Sequence, residues 1–226
     1  MRRVLVRVVV DAAIVAAVLF IAARTLVWPR AWILVGTLLV VRTVSAIAVF
    51  RTNPALLRER AAVLMHQHQP AIDRALLLAF MGTAFVVLPA VAALDARRWH
   101  FLPSPSLAVS ILGLALFVLG WTIIGVALRA NRFAVTVVRH QVEREHSVID
   151  TGVYGVIRHP MYAGNPLVNV GLGLWLGSYA AALFAVIPLA LLLLRVGIEE
   201  RFLLRELPGY RDYTRRVRYR LLPGIW

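Results

Sequence analysis

The chain alternates between long apolar segments and shorter polar segments. A helix needs roughly 20 apolar residues to cross a bilayer, whereas buried strands are much shorter. The pattern therefore predicts transmembrane helices rather than a soluble α/β fold. Four of these helices are predicted in the N-terminal half: from about Val4 or Val8 to Val27, Ala31 to Phe50, Ala75 to Leu94 with a kink at Pro89, and Leu107 to Leu128.

The apolar segment from Met161 to Leu194 is about 34 residues long, too long for one span at a rise of about 1.5 Å per residue. Gly177 and Ser178 interrupt it, so we predict a helical hairpin that breaks there. The first arm should begin at Pro160, because proline fits the first turn of a helix and holds the preceding residue in extended geometry.

The whole chain is predicted to be a single all-α membrane domain, a polytopic bundle of transmembrane helices. About six spans are expected, and five are possible. Four spans fall within residues 1–130. The hairpin belongs to a motif-bearing core over residues 131–226, which ends in a cofactor-binding segment on the cytosolic side.

Composition and charge support an integral membrane protein and predict its orientation. Hydrophobic residues make up 61% of the chain, against about 45–50% in a typical soluble domain. The net charge of +14 comes from arginine alone, a bias typical of a GC-rich prokaryotic genome. In the six-span arrangement twenty arginines lie on one side of the membrane and four on the other, so both termini are expected in the cytoplasm. The charge thus indicates loop orientation and contact with anionic lipids rather than nucleic-acid binding.

Two polar features of the N-terminal half have competing interpretations. Arg42 lies midway along the second predicted helix, where it could face a polar cavity or pack as a structural group. His66 and His68 lie in a polar loop where only Asp73 is near enough to complete a metal site, so a solvated loop is favoured. The chain has no cysteine, and we predict no metal site.

The densest chemical features are the segment Gly152–Gly164 and the acidic pair Glu199 and Glu200. A helix that begins after His159 would direct its first amides and its dipole at Arg158 and His159, which creates a corner suited to an anionic group. The hairpin returns the acidic pair to the same membrane face, so we predict one composite site. Adjacent carboxylates near a bilayer are costly unless paired, and a cationic ligand would offset that cost.

The acidic pair also has a purely structural interpretation. Glu199 or Glu200 would then pair with arginines of its own solvated helix, namely Arg195, Arg201 or Arg205. The linked motifs of the C-terminal half favour the composite site instead.

These motifs cover about the last 95 residues. They are His146; Thr151-Gly152-Val153-Tyr154; Arg158-His159-Pro160-x-Tyr162-x-Gly164; Glu199-Glu200-x-x-Leu203; and Tyr210-x-x-Tyr213, followed by Val217 and Pro223. With this set the chain resembles the isoprenylcysteine carboxyl methyltransferase (ICMT) family of integral membrane enzymes and, more distantly, the phospholipid N-methyltransferases. The first four helices are similar to the family mainly in hydropathy.

The resemblance implies an enzyme that transfers a methyl group from S-adenosylmethionine, releases S-adenosylhomocysteine, and holds the cofactor with its last hairpin and C-terminal segment. The implied cofactor contacts are His159, Tyr162, Gly164 and Glu199. The implied catalytic residues, nearest to the substrate and to methyl transfer, are Arg158 and Glu200. The chemistry agrees, because carboxylates and aromatic faces complement the sulfonium and ammonium groups of the cofactor, and arginine complements its carboxylate.

The acceptor is expected to be a lipophilic small molecule or a lipidated group, with a tail that enters laterally between the helices. A carboxylate acceptor, such as a prenylcysteine, would need no general base, and Arg158 would orient it. An amine acceptor would need deprotonation by His146, His159 or a glutamate. The sequence leaves both acceptor types open.

Two other classes of function remain open. Sterol-reductase-type membrane enzymes have a similar C-terminal core with an Arg-His-x-x-Tyr-x-Gly pattern, but they use NADPH. The proline directly after His159 and the adjacent Glu199 and Glu200 favour the methyltransferase. A transporter would need polar residues spaced through several spans, and apart from Arg42 the predicted helices have almost none.

Overall fold

The computed structural model describes residues 1–62, 71–134 and 147–226, and all regular secondary structure in these ranges is helical. The α-helices are α1 (Arg2–Ala23), α2 (Pro29–Thr52), α3 (Pro54–Ala62), α4 (Ala71–Gly82), α5 (Leu88–Leu94), α6 (Leu107–Ala130), α7 (Pro160–Leu176), α8 (Tyr179–Phe184), α9 (Val186–Glu206) and α10 (Tyr210–Arg216). A short 3₁₀-helix, Gly152–Gly155, precedes α7. The predicted all-α fold is confirmed.

Five helical segments of the described residues are long and apolar enough to cross a membrane. They are α1, α2, the segment Ala71–Trp99 that contains α4 and α5, α6, and the segment Tyr179–Glu206 that contains α8 and α9. Helix α7 begins at Pro160 as predicted and has 17 residues, about 25 Å at 1.5 Å per residue, so it is short for a full span. The five segments match the lower of the two predicted numbers of spans.

The third span is longer than predicted and is not a uniform α-helix. It covers Ala71–Trp99 rather than residues 75–94. π-Helical turns occupy Thr83–Val87 and Asp95–Trp99, and the first of them ends two residues before Pro89. Proline donates no backbone hydrogen bond, so a local change of helix type accommodates it.

The hairpin breaks at Gly177 and Ser178, as predicted. Gly177 ends α7 with a φ of 90°, a left-handed conformation that glycine adopts without strain. The Ser178 hydroxyl accepts a hydrogen bond of 2.9 Å from the Ala181 backbone N–H and donates one of 2.6 Å to Asp95. The hairpin turn is therefore tied to the end of the third span.

Helices α6 and α7 pack with their backbones in direct contact. A Cβ built on Gly120 would lie 2.5 Å from the carbonyl oxygen of Gly164, and one built on Gly171 would lie 2.5 Å from that of Gly113. A Cβ on Gly173 would lie 2.6 Å from a backbone nitrogen of α8. The lack of side chains on these glycines therefore allows the close approach of the helices. The contact fixes the position of α7, whose first turn carries the predicted site.

Two ion pairs link helices inside the bundle. Arg42 donates to Asp11 of α1 at 2.7 Å, and its guanidinium lies 5.1 Å from the centre of the Trp121 ring. Arg195 of α9 donates to Asp73 of α4 at 2.8 Å. The prediction that Asp73 belongs to a polar loop is wrong, because the arginine of a distant helix neutralises it and allows its complete burial.

Candidate active site

Glu200 is the centre of a buried cluster that joins α7, α9 and the C-terminal tail. Its carboxylate receives two hydrogen bonds from the Arg158 guanidinium, Nε to Oε1 and Nη2 to Oε2, each 2.9 Å long. His159 Nε2 lies 2.9 Å from Oε1, and the Tyr210 hydroxyl donates to the same oxygen at 2.8 Å. Arg220 Nε lies 3.4 Å from Oε2. The predicted meeting of Glu200 with Arg158 and His159 is thus observed, and Glu200 pairs across elements instead of along its own helix.

The tail holds the extended backbone that leads into α7. The backbone N–H groups of Arg158 and His159 donate to the carbonyl oxygens of Tyr219 and Arg220, both at 2.9 Å. Arg158 Nη1 also donates to the carbonyl oxygens of the two preceding tail residues, at 3.0 and 3.1 Å. Because Nε, Nη1 and Nη2 all have protein acceptors, the plane of the guanidinium is fixed.

Glu199 is held by the first turn of α7. The Tyr162 hydroxyl donates a hydrogen bond of 2.6 Å to Glu199 Oε2. The Tyr162 ring stacks on His159 with 5.7 Å between ring centres, and the Arg195 guanidinium lies 5.7 Å from the centre of the Tyr162 ring. Carboxylate, phenol, imidazole and guanidinium groups therefore form one continuous wall.

This wall faces a cavity that lies between α7, α9, α10 and the described residues on either side of 135–146. Arg158, His159, Tyr162 and Glu199 line it, and Glu200 lies behind them. The structure thus brings four of the six predicted site residues to one surface. Glu200 supports that surface through Arg158 and His159, so its arrangement is that of a positioning group.

The structure places Gly164 against α6, where its Cβ would lie 2.5 Å from the Gly120 carbonyl oxygen. Close helix packing accounts for a glycine at this position, and its role as a cofactor contact stays a prediction. His146, predicted as a possible general base, lies outside the described residues, as do His66 and His68.

Three tyrosines of the site were given no role by the sequence interpretation. Tyr210 binds Glu200, and the Tyr213 hydroxyl donates to the Tyr154 carbonyl oxygen at 2.7 Å. Burial raises the pKa of Tyr154 to about 12 and also raises the pKa values of Tyr210 and Tyr213. These phenols therefore stay protonated at neutral pH, and Tyr210 and Tyr213 act as donors. The Tyr210-x-x-Tyr213 spacing was the available signal, because a three-residue step on a helix places both rings on one face.

A second cavity, of about 530 Å³, lies inside the bundle and adjoins the first. Its lining is mainly apolar and comes from α1, α2, α3, α4, α6, α7 and α9, with two residues of the π-helical turn after α4. Met161, Tyr162 and Arg195 line both cavities. The volume lies within the range of about 300–1,000 Å³ that is typical of small-molecule sites. The polar wall of the first cavity therefore borders an apolar chamber.

Two comparisons with known proteins show what the chain is similar to. Residues 108–208 match the family model of phospholipid methyltransferases. The fold is similar to the structure of the eukaryotic intramembrane Ras methyltransferase ICMT, with a TM-score of 0.56 and 22% sequence identity over 95% of this chain and 75% of that chain. No curated protein matches the sequence significantly.

The fold and the site thus define an integral membrane protein of the helical ICMT-like type. The segment that matches the phospholipid methyltransferase model, 108–208, contains α7, α9 and the acidic pair. The predicted resemblance to the ICMT-like membrane methyltransferases is confirmed, in the family-model match over residues 108–208 and in the similar fold.

Proposed function

We propose that the protein transfers a methyl group from S-adenosylmethionine to a lipophilic acceptor at the cytosolic face of the membrane. The observation that carries this proposal is the adjacency of the two cavities. One is lined by Glu199, Tyr162, His159 and Arg158, and the other is a mainly apolar chamber within the bundle. A polar cofactor and an apolar substrate would meet beside Met161 and Tyr162, where the cavities adjoin.

The residues of the first cavity fit the charges of this cofactor. The Glu199 carboxylate is complementary to a sulfonium or an ammonium group, and the Tyr162 ring presents an aromatic face of the kind that attracts cations. His159 lies at the start of α7, where the helix dipole favours an anion such as a carboxylate. When bound, S-adenosylmethionine supplies an electrophilic methyl group.

The protein itself contributes position and the exclusion of water. Methyl transfer by in-line displacement depends on the distance and angle between the donor and acceptor atoms, so rigid walls lower the barrier. Glu200 and the tail carbonyls fix the Arg158 guanidinium, and Tyr162 fixes Glu199. The surrounding apolar helices keep bulk water from the acceptor.

The proposed orientation follows from the distribution of arginine. Both termini and the site lie on the arginine-rich side when α7 crosses the membrane together with the five longer segments, and the positive-inside rule assigns this side to the cytoplasm of a prokaryotic cell. A lipophilic acceptor in the membrane and a water-soluble cofactor in the cytosol would then approach the two cavities from different phases.

The proposal is tested by calorimetric titration of the purified protein with S-adenosylmethionine, S-adenosylhomocysteine and NADPH. We expect saturable binding of both adenosyl ligands and none of NADPH. Binding of NADPH alone would support a membrane reductase instead. If folded protein bound none of the three, the proposed function would be wrong and a transporter would become the leading alternative.

Substitution Tyr162→Phe tests whether Glu199 belongs to the cofactor site. The change removes the hydrogen bond to Glu199 Oε2 but keeps the ring and its stacking on His159. A hydrogen bond to a charged group contributes about 1.5–3 kcal/mol, so we expect affinity for S-adenosylhomocysteine to fall about tenfold or more. Tyr219→Phe, at an exposed tyrosine of the tail, is the control and should bind normally. Unchanged affinity in Tyr162→Phe would remove the Tyr162 and Glu199 pair from the cofactor site.

A further inference from the structure

Arg60 of α3 has a position that the proposed reaction does not yet use. Its Nη1 donates to the carbonyl oxygen of Ala134 and lies 4.0 Å from the sulfur of Met161. Ala134 and Met161 line the first cavity, and Arg60 itself lines the apolar chamber. The guanidinium is therefore at the junction of the two cavities, beside Met161, the residue that precedes Tyr162 in the chain.

The charges around the chamber make Arg60 distinctive. The described lining residues include four arginines and one carboxylate, that of Asp11. Arg7 and Arg42 both pair with Asp11, and Arg195 pairs with Asp73. Within the described parts of the chain, Arg60 has only uncharged contacts at hydrogen-bonding distance, a carbonyl oxygen and a thioether.

A cation in this setting favours an anionic ligand. Burial lowers the pKa of Arg60 to about 10, and the guanidinium is still charged at neutral pH. An oxyanion would restore the lost solvation, and a guanidinium fork binds carboxylate or phosphate oxygens in pairs. A cationic amine head placed here would instead be repelled by Arg60 and by the excess of arginine in the lining.

We infer that Arg60 recognises an anionic oxygen group, a carboxylate or a phosphate, on the head of the lipophilic acceptor. The tail of that acceptor fills the apolar chamber, and its head lies at the junction beside Met161. This inference rests on the proposed function, because it assigns the acceptor of the same site. It makes Arg60 the residue that selects acidic lipids over neutral lipids of equal length.

The test compares ligands that share a tail and differ in head charge. Palmitate and hexadecyl phosphate carry the two candidate oxyanions, and methyl palmitate and hexadecanol are their uncharged counterparts. Binding to the purified full-length protein in detergent requires neither turnover nor cofactor. We expect at least one acid to bind about tenfold or more tightly than its neutral counterpart, since hydrogen bonds to charged groups are among the strong ones. A preference confined to palmitate identifies a carboxylate head, and one confined to hexadecyl phosphate identifies a phosphate head.

The variants connect this preference to Arg60. Arg60→Gln should bind acid and neutral ligands equally, and Arg60→Lys should retain part of the preference because it keeps the charge but loses the fork. Arg51→Gln, at an exposed arginine of the last turn of α2, is the matched control and should behave as wild type. Melting curves verify that each variant is folded.

Three results would overturn the inference: no preference for an acid in the wild type, a preference that survives in Arg60→Gln, or a loss of S-adenosylhomocysteine affinity in Arg60→Gln as large as the loss of acid binding. The third result would assign Arg60 to the cofactor. Failure of the proposed function would be observed separately, because the wild-type protein would then bind no adenosyl ligand at all.

Discussion

Substitution Glu200→Gln is expected to lower methyl transfer about 100-fold or more while leaving a folded protein. The carboxylate accepts from Arg158, His159 and Tyr210 at once, and a neutral amide cannot accept from all of them. Arg158 and His159 would then lose their fixed orientation in the cavity wall, and misplacement by about 1 Å is enough for a hundredfold loss of rate.

The same substitution should destabilise the protein, because it leaves the buried Arg158 charge without its carboxylate. Removal of one partner from a buried ion pair costs about 3–5 kcal/mol, so the melting temperature in detergent should fall clearly. Glu206→Gln changes an exposed glutamate at the end of the same helix and is the control, for which neither activity nor melting should change. Wild-type turnover in Glu200→Gln would show that the cluster does not position the reaction.

Activity and stability together separate the two roles that Glu200 can have. If Glu200 contacts the acceptor, its substitution should lower activity with only a small change in melting temperature, because that contact forms only during turnover. If Glu200 positions Arg158 and His159, its substitution should lower both activity and melting temperature, because these partners are within the protein. The geometry supports the second outcome, since Glu200 lies behind the residues that line the cavity.

The membrane fold and much of the site could be predicted from local sequence. Long apolar segments predict helices because no other element satisfies its own backbone hydrogen bonds in lipid. Pro160 fixed the start of α7, and Gly177 with Ser178 fixed its end, since each of these residues acts on the backbone next to it. The hairpin length then brought Glu200 to Arg158, a pair 42 residues apart in the chain.

Contacts between distant elements could not be predicted in the same way. Nothing near Asp73 in the sequence shows that Arg195 lies beside it, so its burial was missed. The role of Tyr210 depends on Gly209, a glycine in the left-handed conformation that lies between α9 and α10. This glycine lets the chain turn so that α10 brings Tyr210 back to Glu200. The site also depends on uncharged residues whose contacts the sequence does not indicate, such as the glycines of α6 and α7.

Substitution Gly120→Ala is expected to destabilise the protein by about 1–3 kcal/mol, the usual cost of excess volume in a tight interface. The added methyl group would lie 2.5 Å from the Gly164 carbonyl oxygen and 2.8 Å from the backbone nitrogen of Val168. Both neighbours are backbone atoms, so the two helices must move apart. Gly36→Ala is the matched control, because it places the same methyl group on α2 with nothing within 4 Å.

The control should melt at the wild-type temperature or slightly above it, since alanine favours a helix by about 1 kcal/mol over glycine. Gly120→Ala should melt lower and also lose methyl transfer, because α7 carries Tyr162 in its first turn and its displacement shifts the wall of the cavity. Equal melting of the two variants would show that the close approach of α6 and α7 is not what holds the site. A lower melting temperature of Gly120→Ala with full activity would show that α7 moves without displacing Tyr162. The contacts of the C-terminal tail would then be what keeps the site rigid.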